Sequence, residues 1–336
     1  MYRKTGLLLF LKMLAVILLL GLPAWSGSES LAAVLIDDFA NDAPAKNVHT
    51  VLDRENGEVV VYLRGEHFTT YQFHDSLRIP FLWPVYAGSG IDVTRNWPMG
   101  ADDPEITDHP HHQSLWTAFG DFNGYDHWHN EPIITVEVDA VSGESRGAVR
   151  ARNLWVDDRR NPLVDEIREY IFYDTPDTVR YFDQSVTFRA SYGDVTFGDD
   201  KEGLFAFRIR TEIQGNKNGM LTNAYGESGE RAVYGTPAPW MDYSGPVEGE
   251  DIHGIALFSH PDNFRLPAWH VRDYGLVACN FFAMKDVAGM EDEGTYVLQE
   301  GEELTLSVRY LIYSGEMDLS ELQEQFDLYA RGDGSR

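Results

Sequence analysis

Eleven histidines occur in 336 residues, and five of them fall between positions 109 and 129. The densest run is Asp108-His109-Pro110-His111-His112-Gln113-Ser114-Leu115-Trp116. Pro110 fixes its own φ and biases His109 toward extended backbone. Alternate side chains of an extended segment share a side, so His109 and His111 are expected to face one way and His112 the other. Two imidazoles on one side suit proton transfer near neutral pH, or ligation of a metal ion. Asp108 is placed to orient an imidazole. Neither His-Glu-x-x-His nor paired Cys-x-x-Cys occurs, so the spacing leaves acid–base, metal and purely structural roles open.

The run continues into Phe119-Gly120-Asp121-Phe122-Asn123-Gly124-Tyr125-Asp126-His127-Trp128-His129. Gly120 and Gly124 allow tight turns, and Asp121 and Asn123 offer acceptors and donors. Trp116, Tyr125 and Trp128 supply flat apolar faces. Aromatic faces beside carboxylates and amides suit a sugar ring, which has CH-rich faces and polar edges. A compact aromatic loop closing the mouth of a sheet would look the same. Lys201-Glu202 precedes a strong strand and reads as solvated surface or as a base with its cation. In Trp269-His270-Val271-Arg272-Asp273-Tyr274, a strand would point His270, Arg272 and Tyr274 the same way. Imidazole, guanidinium and phenol on one face can move a proton and hold a carboxylate or oxyanion, or form a structural ion pair.

Short β-rich runs must position these groups. They cover 59–63, 68–73, 79–86, 133–141, 164–173, 179–188, 204–213, 254–259, 276–284 and 304–313, separated by turns such as Glu55-Asn56-Gly57 and Gly215-Asn216-Lys217-Asn218-Gly219. Alternation with Gly, Pro and Asn punctuation predicts antiparallel sheets. One helix is expected near the end, capped by Ser320 and running from Glu321 to Ala330, with Leu322, Phe326 and Tyr329 on one face. The stretches 88–132 and 221–250 read as long loops, where sites usually sit.

Acids outnumber bases 54 to 27, a net charge of −27. That argues against binding nucleic acid by phosphate neutralisation and against attraction to anionic lipid. Arg3 and Lys4 precede an apolar run from Gly6 to Leu22, and Ala24-Trp25-Ser26 fits a small-x-small site. This pattern reads as a signal peptide over residues 1–26, hence export to a periplasm or the exterior with no membrane span afterwards. Residues 27–331 would form a single domain, and 332–336 a disordered tail. Cys279, the one cysteine, lies in an apolar run and reads as a packed thiol.

Seven segments occur in the order seen in one bacterial family: 94–98, 108–116, 120–124, 201–203, 223–227, 238–245 and 269–275. Together they resemble the PmoA-like family, which has carried the label methane oxygenase PmoA and is also described as a domain of unknown function. The resemblance spans about residues 55 to 315. It implies a galactose mutarotase-like supersandwich, and it adds Trp240 to the candidate sugar contacts. The family's His-Pro-His-His-Arg-Gly is changed here to Gln113-Ser114 after His112, and its Arg-Asp-Tyr-Pro to Arg95-Asn96-Trp97-Pro98.

The combined expectation is an all-β protein: a large antiparallel two-sheet sandwich with a short C-terminal helix. The site would lie on the hollow face of one sheet, under the 88–132 and 221–250 stretches. The expected function is an exported carbohydrate-active enzyme of lyase, hydrolase or epimerase type. His109, His112, Glu202 and His270 would carry protons. Arg95, His111, Trp116, Asp121 and Asn123 would hold a small sugar or oligosaccharide, with Lys201, Trp240, Arg272 and Tyr274. Two alternatives stand beside it. One is a non-catalytic glycan-binding protein. The other is the metal-dependent oxygenase of the family label, with an ion on His109, His111 and His270. The cofactor is accordingly either none or one divalent metal.

Overall fold

The computed structural model describes residues 46–100, 107–249, 251–291 and 294–332. The expected signal peptide (1–26) and all but the first residue of the expected tail (332–336) lie outside them. The first strands are β1 (Val48–Asp53), β2 (Glu58–Leu63), β3 (Glu66–Gln72), β4 (Phe81–Val85), β5 (Leu115–Thr117) and β6 (Ile133–Val141). Next come β7 (Arg146–Val156), β8 (Pro162–Tyr173), β9 (Val179–Arg189), β10 (Val195–Phe197), β11 (Phe205–Arg208) and β12 (Met220–Asn223). The last are β13 (Trp240–Val247), β14 (Asp251–Ser259), β15 (Ala268–Arg272), β16 (Leu276–Asn280), β17 (Tyr296–Leu298) and β18 (Glu303–Ser314). A single-turn helix α1 (Glu230–Val233) and the longer α2 (Leu319–Ala330) complete the named elements.

Two eight-stranded sheets result, in the orders β1-β2-β3-β4-β5-β11-β16-β15 and β12-β13-β14-β18-β9-β8-β7-β6, with a ribbon of β10 and β17. All pairings between these strands are antiparallel. This is the two-sheet sandwich expected from the alternation. β9 shows the cause most clearly: Arg180, Phe182, Gln184, Val186 and Phe188 are buried, and the residues between them are partly open. Phe182 meets Phe68 of the first sheet edge-on at 6.0 Å, so the inner faces share one apolar core. Cys279 is buried on β16, as expected for a packed thiol.

Three expectations change. The 88–132 stretch contains β5, and the 221–250 stretch contains most of β12 and all of β13, so neither is simply a loop. α2 is capped by Asp318, not Ser320. The Asp318 carboxylate accepts from the Ser320 and Glu321 amides, and Glu321 reaches back to the Asp318 amide in a capping box. The acid outcompetes the hydroxyl because its charge also suits the helix's positive end. β7 was missed because arginines at 146, 150 and 152 mask its alternation.

Candidate functional site

Register decides which side chains gather. His270 on β15 stands opposite Ala278 on β16, which stands opposite Ala206 on β11, which stands opposite Trp116 on β5. Directly paired residues point to the same face. The next row holds Arg272, Leu276 and Arg208. The opposite face carries Thr117, which accepts a hydrogen bond from Gln184 of the second sheet at 2.7 Å and so points into the sandwich. The rows with His270 and Trp116 therefore lie on the outer face of the first sheet. The two alanines between those large residues keep that floor low.

Residues 108–112 fold over this floor beside Trp128 and His129, and their backbone differs from the extended run expected. His109 has φ of +43°, in the left-handed region, and the His112 amide donates to the His109 carbonyl at 3.0 Å. The cause is Arg95. Its buried guanidinium donates to the carbonyls of Asp108 (3.1 Å), His109 (3.0 Å) and His112 (3.4 Å), and it also pairs with the Asp108 carboxylate. Three convergent carbonyls require a turn, and these contacts outweigh the extended bias set by Pro110. The expected sidedness is therefore replaced. His109 stacks on His112 at 4.8 Å between ring centres, Tyr274 lies 4.9 Å from His109 and 6.3 Å from His112, and His112 stacks on Trp116 at 5.1 Å. His111 stands beside the column, 4.4 Å from the ring of His129.

Asp108 is shared by two buried arginines. Arg208 donates to its oxygens at 3.1 and 3.2 Å and lies over the Tyr274 ring at 4.4 Å. Arg208 also donates to Nδ1 of His112 at 3.0 Å. That contact makes Nδ1 an acceptor and places the His112 hydrogen on Nε2. Burial, with His111 and Arg208 nearby, holds His112 neutral, its pKa well below the usual imidazole value. Burial, with help from His129, His109 and Arg78, lowers His111 to about 4. Burial and then Arg95 bring Arg208 down to about 10. Asp108 itself stays below the ordinary carboxylate range because Arg208, His109 and Arg95 together outweigh its partial burial.

The second group lies at the far end of the same face. His270 Nδ1 is 3.1 Å from the Lys201 carbonyl and 3.5 Å from Glu202 Oε2. A carbonyl only accepts, so Nδ1 carries the hydrogen and Nε2 the lone pair. Nε2 is buried with no hydrogen-bond partner among the described residues. Burial first, then Arg272, lower His270 to about 3. Glu202 is raised by burial, against the opposing pull of Lys201, His129 and Arg272. Lys201 Nζ is 3.7 Å from Glu202 Oε1. Arg272 lies 3.8 Å from Glu230 and over the Tyr234 ring at 4.6 Å. His111 with His129, and His129 with Glu202, link this end to the stacked column.

The face thus collects Arg95, His109, His111, His112 and Trp116 with Lys201, Glu202, His270, Arg272 and Tyr274. Three expected sugar contacts lie elsewhere. Trp240 is fully buried with Phe258 and Leu322 beneath α2, and its Nε1 donates to Gln323 at 3.1 Å. Asn123 ties its turn to β10, accepting from the Thr196 amide at 2.6 Å. Asp121 accepts from the Gly124 amide at 3.0 Å and lines a separate cleft with Asp199 and Asp286. Among the described residues no three His, Cys, Asp or Glu side chains are placed to share a metal ion, so His109, His111 and His270 do not form a ligand set. Arg208 and His129 were missed. An arginine inside a strand reads as solvent-facing, and His129 sat beside a carboxylate like a surface residue.

A family model described as "Family of unknown function (DUF6807)" matches residues 58–327. Nothing in the comparisons supports the methane oxygenase label expected from the motifs. No curated protein matches the chain. Among solved structures, the galactose 1-epimerase from Lactobacillus acidophilus is 7% identical with a TM-score of 0.43, the match covering 82% of this chain and 100% of that one. An aldose epimerase homologue from C. elegans is 8% identical with a TM-score of 0.33, over 81% of this chain and 100% of that one. A candidate kojibiose phosphorylase from human microbiome is 7% identical with a TM-score of 0.32, over 60% of this chain but only 23% of the other's length. At these identities no residue role transfers.

Proposed function

Because the chain belongs to the DUF6807 family, whose function is unknown, the site must supply the reading, and we propose a carbohydrate-active enzyme in which Glu202 moves a proton to and from a sugar whose hydroxyl His270 holds. One observation carries this. His270 is held in one tautomer by the Lys201 carbonyl, presents a buried and unpartnered Nε2 lone pair, and has the Glu202 carboxyl beside its other nitrogen. A buried acceptor without a donor costs about 1–3 kcal/mol, and a sugar hydroxyl is a donor of the right size.

The electrostatics support these roles. His270, at about 3, is neutral through the physiological range and accepts from a hydroxyl without ionising. Glu202 sits above the ordinary carboxylate range, nearer the pH at which one carboxyl both takes and returns a proton. The partly exposed His109–Tyr274 stack offers its CH-bearing ring edges to the sugar. Arg95 and Arg208 act through Asp108, by holding the histidine turn in place. His112, also expected to carry a proton, is fixed by Arg208 at Nδ1 and stacks on His109 and Trp116.

The test is turnover by wild type, His270→Ala and Glu202→Gln on free aldoses, aryl glycosides and uronate oligosaccharides, followed by NMR. Each variant is expected to lose about 10²–10⁴-fold in kcat on the active class while keeping its melting temperature within a few degrees. Wild-type rates in both variants would overturn the assignment. Sugar binding without turnover in any protein would move the reading to a glycan-binding module.

A further inference from the structure

The second sheet has its own polar cavity, which the reading above does not use. Its volume is about 210 Å³, and it lies on the outer face of β8, β9 and β18 beside the last turn of α2. Pairing places Glu169, Ser185 and Ser307 in one row across three strands. The next row is Ile171, Asp183 and Arg309. Two serines side by side leave a dip in the sheet surface, and Tyr329 and His260 wall it.

The hydrogen-bonding ledger of this cavity is incomplete on the protein side. Tyr329 is 5% exposed, and its hydroxyl has no partner among the described residues. Its ring is fixed by Arg309 at 4.6 Å and by the edge of His260 at 5.0 Å, so the phenol is rigidly presented. His260 Nδ1 accepts from the Asp262 amide at 3.1 Å, which leaves Nε2 as a donor. The one guanidinium is already neutralised: Arg309 meets both Asp183 oxygens, at 2.6 and 2.9 Å, and Tyr173 donates to the same carboxylate at 2.8 Å. Among the described residues that line it no unpaired cation is left to attract an anion, and Glu169 adds a carboxyl. Donors and acceptors without net positive charge call for a neutral, many-hydroxyl ligand. The volume is below the roughly 300–1,000 Å³ of drug-sized sites, so the ligand is about one ring in size.

We infer that this cavity is a second binding site, on the sheet opposite the candidate active site, for a neutral polyol or a single pyranose. Tyr329, Ser185, Ser307 and His260 supply its hydrogen bonds. A surface site of this kind would hold one sugar unit of a substrate without taking part in the reaction.

The experiment is calorimetric titration of the full chain with glucose, galactose and myo-inositol, in wild type, Tyr329→Phe and Ser307→Leu, each also in the Glu202→Gln background. The double variants separate the two sites: binding that survives Glu202→Gln, weakens with Tyr329→Phe and disappears with Ser307→Leu belongs to this cavity. Tyr329→Phe is expected to weaken binding here at least about fivefold while leaving the unliganded melting temperature unchanged or higher, because an unpaired hydroxyl is removed. Ser307→Leu, which fills the dip, should abolish binding. Equal binding by all the proteins, or no heat from wild type beyond that lost in Glu202→Gln, would show that the cavity holds only ordered water and overturn the inference.

Discussion

At the residue scale, the controlling contact is the one carboxylate shared by two buried guanidiniums. Arg95 and Arg208 side chains are fully buried, and Asp108 faces both. Removing one member of such a set leaves uncompensated buried charge, which costs more than the pair itself contributes. Asp108→Asn should therefore destabilise by on the order of 3 kcal/mol, read from urea denaturation as a lower midpoint at unchanged slope. It should also release the histidine turn, seen as loss of the ring-current-shifted imidazole signals of His109 and His112 by NMR. An unchanged midpoint would show that the carboxylate is only solvated surface.

At the element scale, α2 and the second sheet enclose an acid that burial keeps protonated. Asp242 on β13 accepts from Ser244 and Tyr313, each at 2.9 Å, and is raised from 3.8 to about 7 by burial. In the unfolded chain the same group ionises near its ordinary value. The stability it contributes is thus fully present below that value and is lost as pH rises toward about 7. Asp242→Asn removes this dependence, since an amide can accept one of the two hydrogen bonds and donate the other. The variant should gain on wild type, by on the order of 2–3 kcal/mol, between pH 5 and pH 8 in paired denaturation curves. A constant difference across that range would count against a buried neutral acid. The capping box explains why α2 can close this end: it satisfies the helix's first amides just where the chain leaves β18.

At the scale of the whole molecule, the two sheets carry different work. The first sheet's outer face gathers the imidazoles, and the second sheet's outer face packs α2 and holds the polar cavity beside it. No helix among the described residues is long and apolar enough to cross a membrane. The N-terminal pattern of Arg3, Lys4, an apolar run and Ala24-Trp25-Ser26 supports a further proposal, that the chain is exported and cut near Ser26. N-terminal sequencing of protein secreted by a bacterial host checks it: a mature start within several residues of Gly27 is expected, and an intact Met1 in the cytosolic fraction would refute it.

The sequence by itself determined the sheet class, because period-two alternation such as that of 179–189 fits only a strand with one buried face. It also determined that His270 and Arg272 would share a side, since that follows from the same period; Tyr274 lies in the turn after β15, beyond the reach of that period. It marked the 109–129 histidines as unusual but not their geometry. Only the tertiary structure decided that Arg95, 13 to 17 residues upstream, would gather three carbonyls and bend 108–112 into a turn. Only register could set His270 three strands from Trp116 across two alanines. Trp240 shows the same limit in reverse. Its motif suggested a ring for a sugar, and long-range packing placed it under a helix. Local pattern reports which face a side chain takes; what it meets there depends on chain brought back from a hundred residues away.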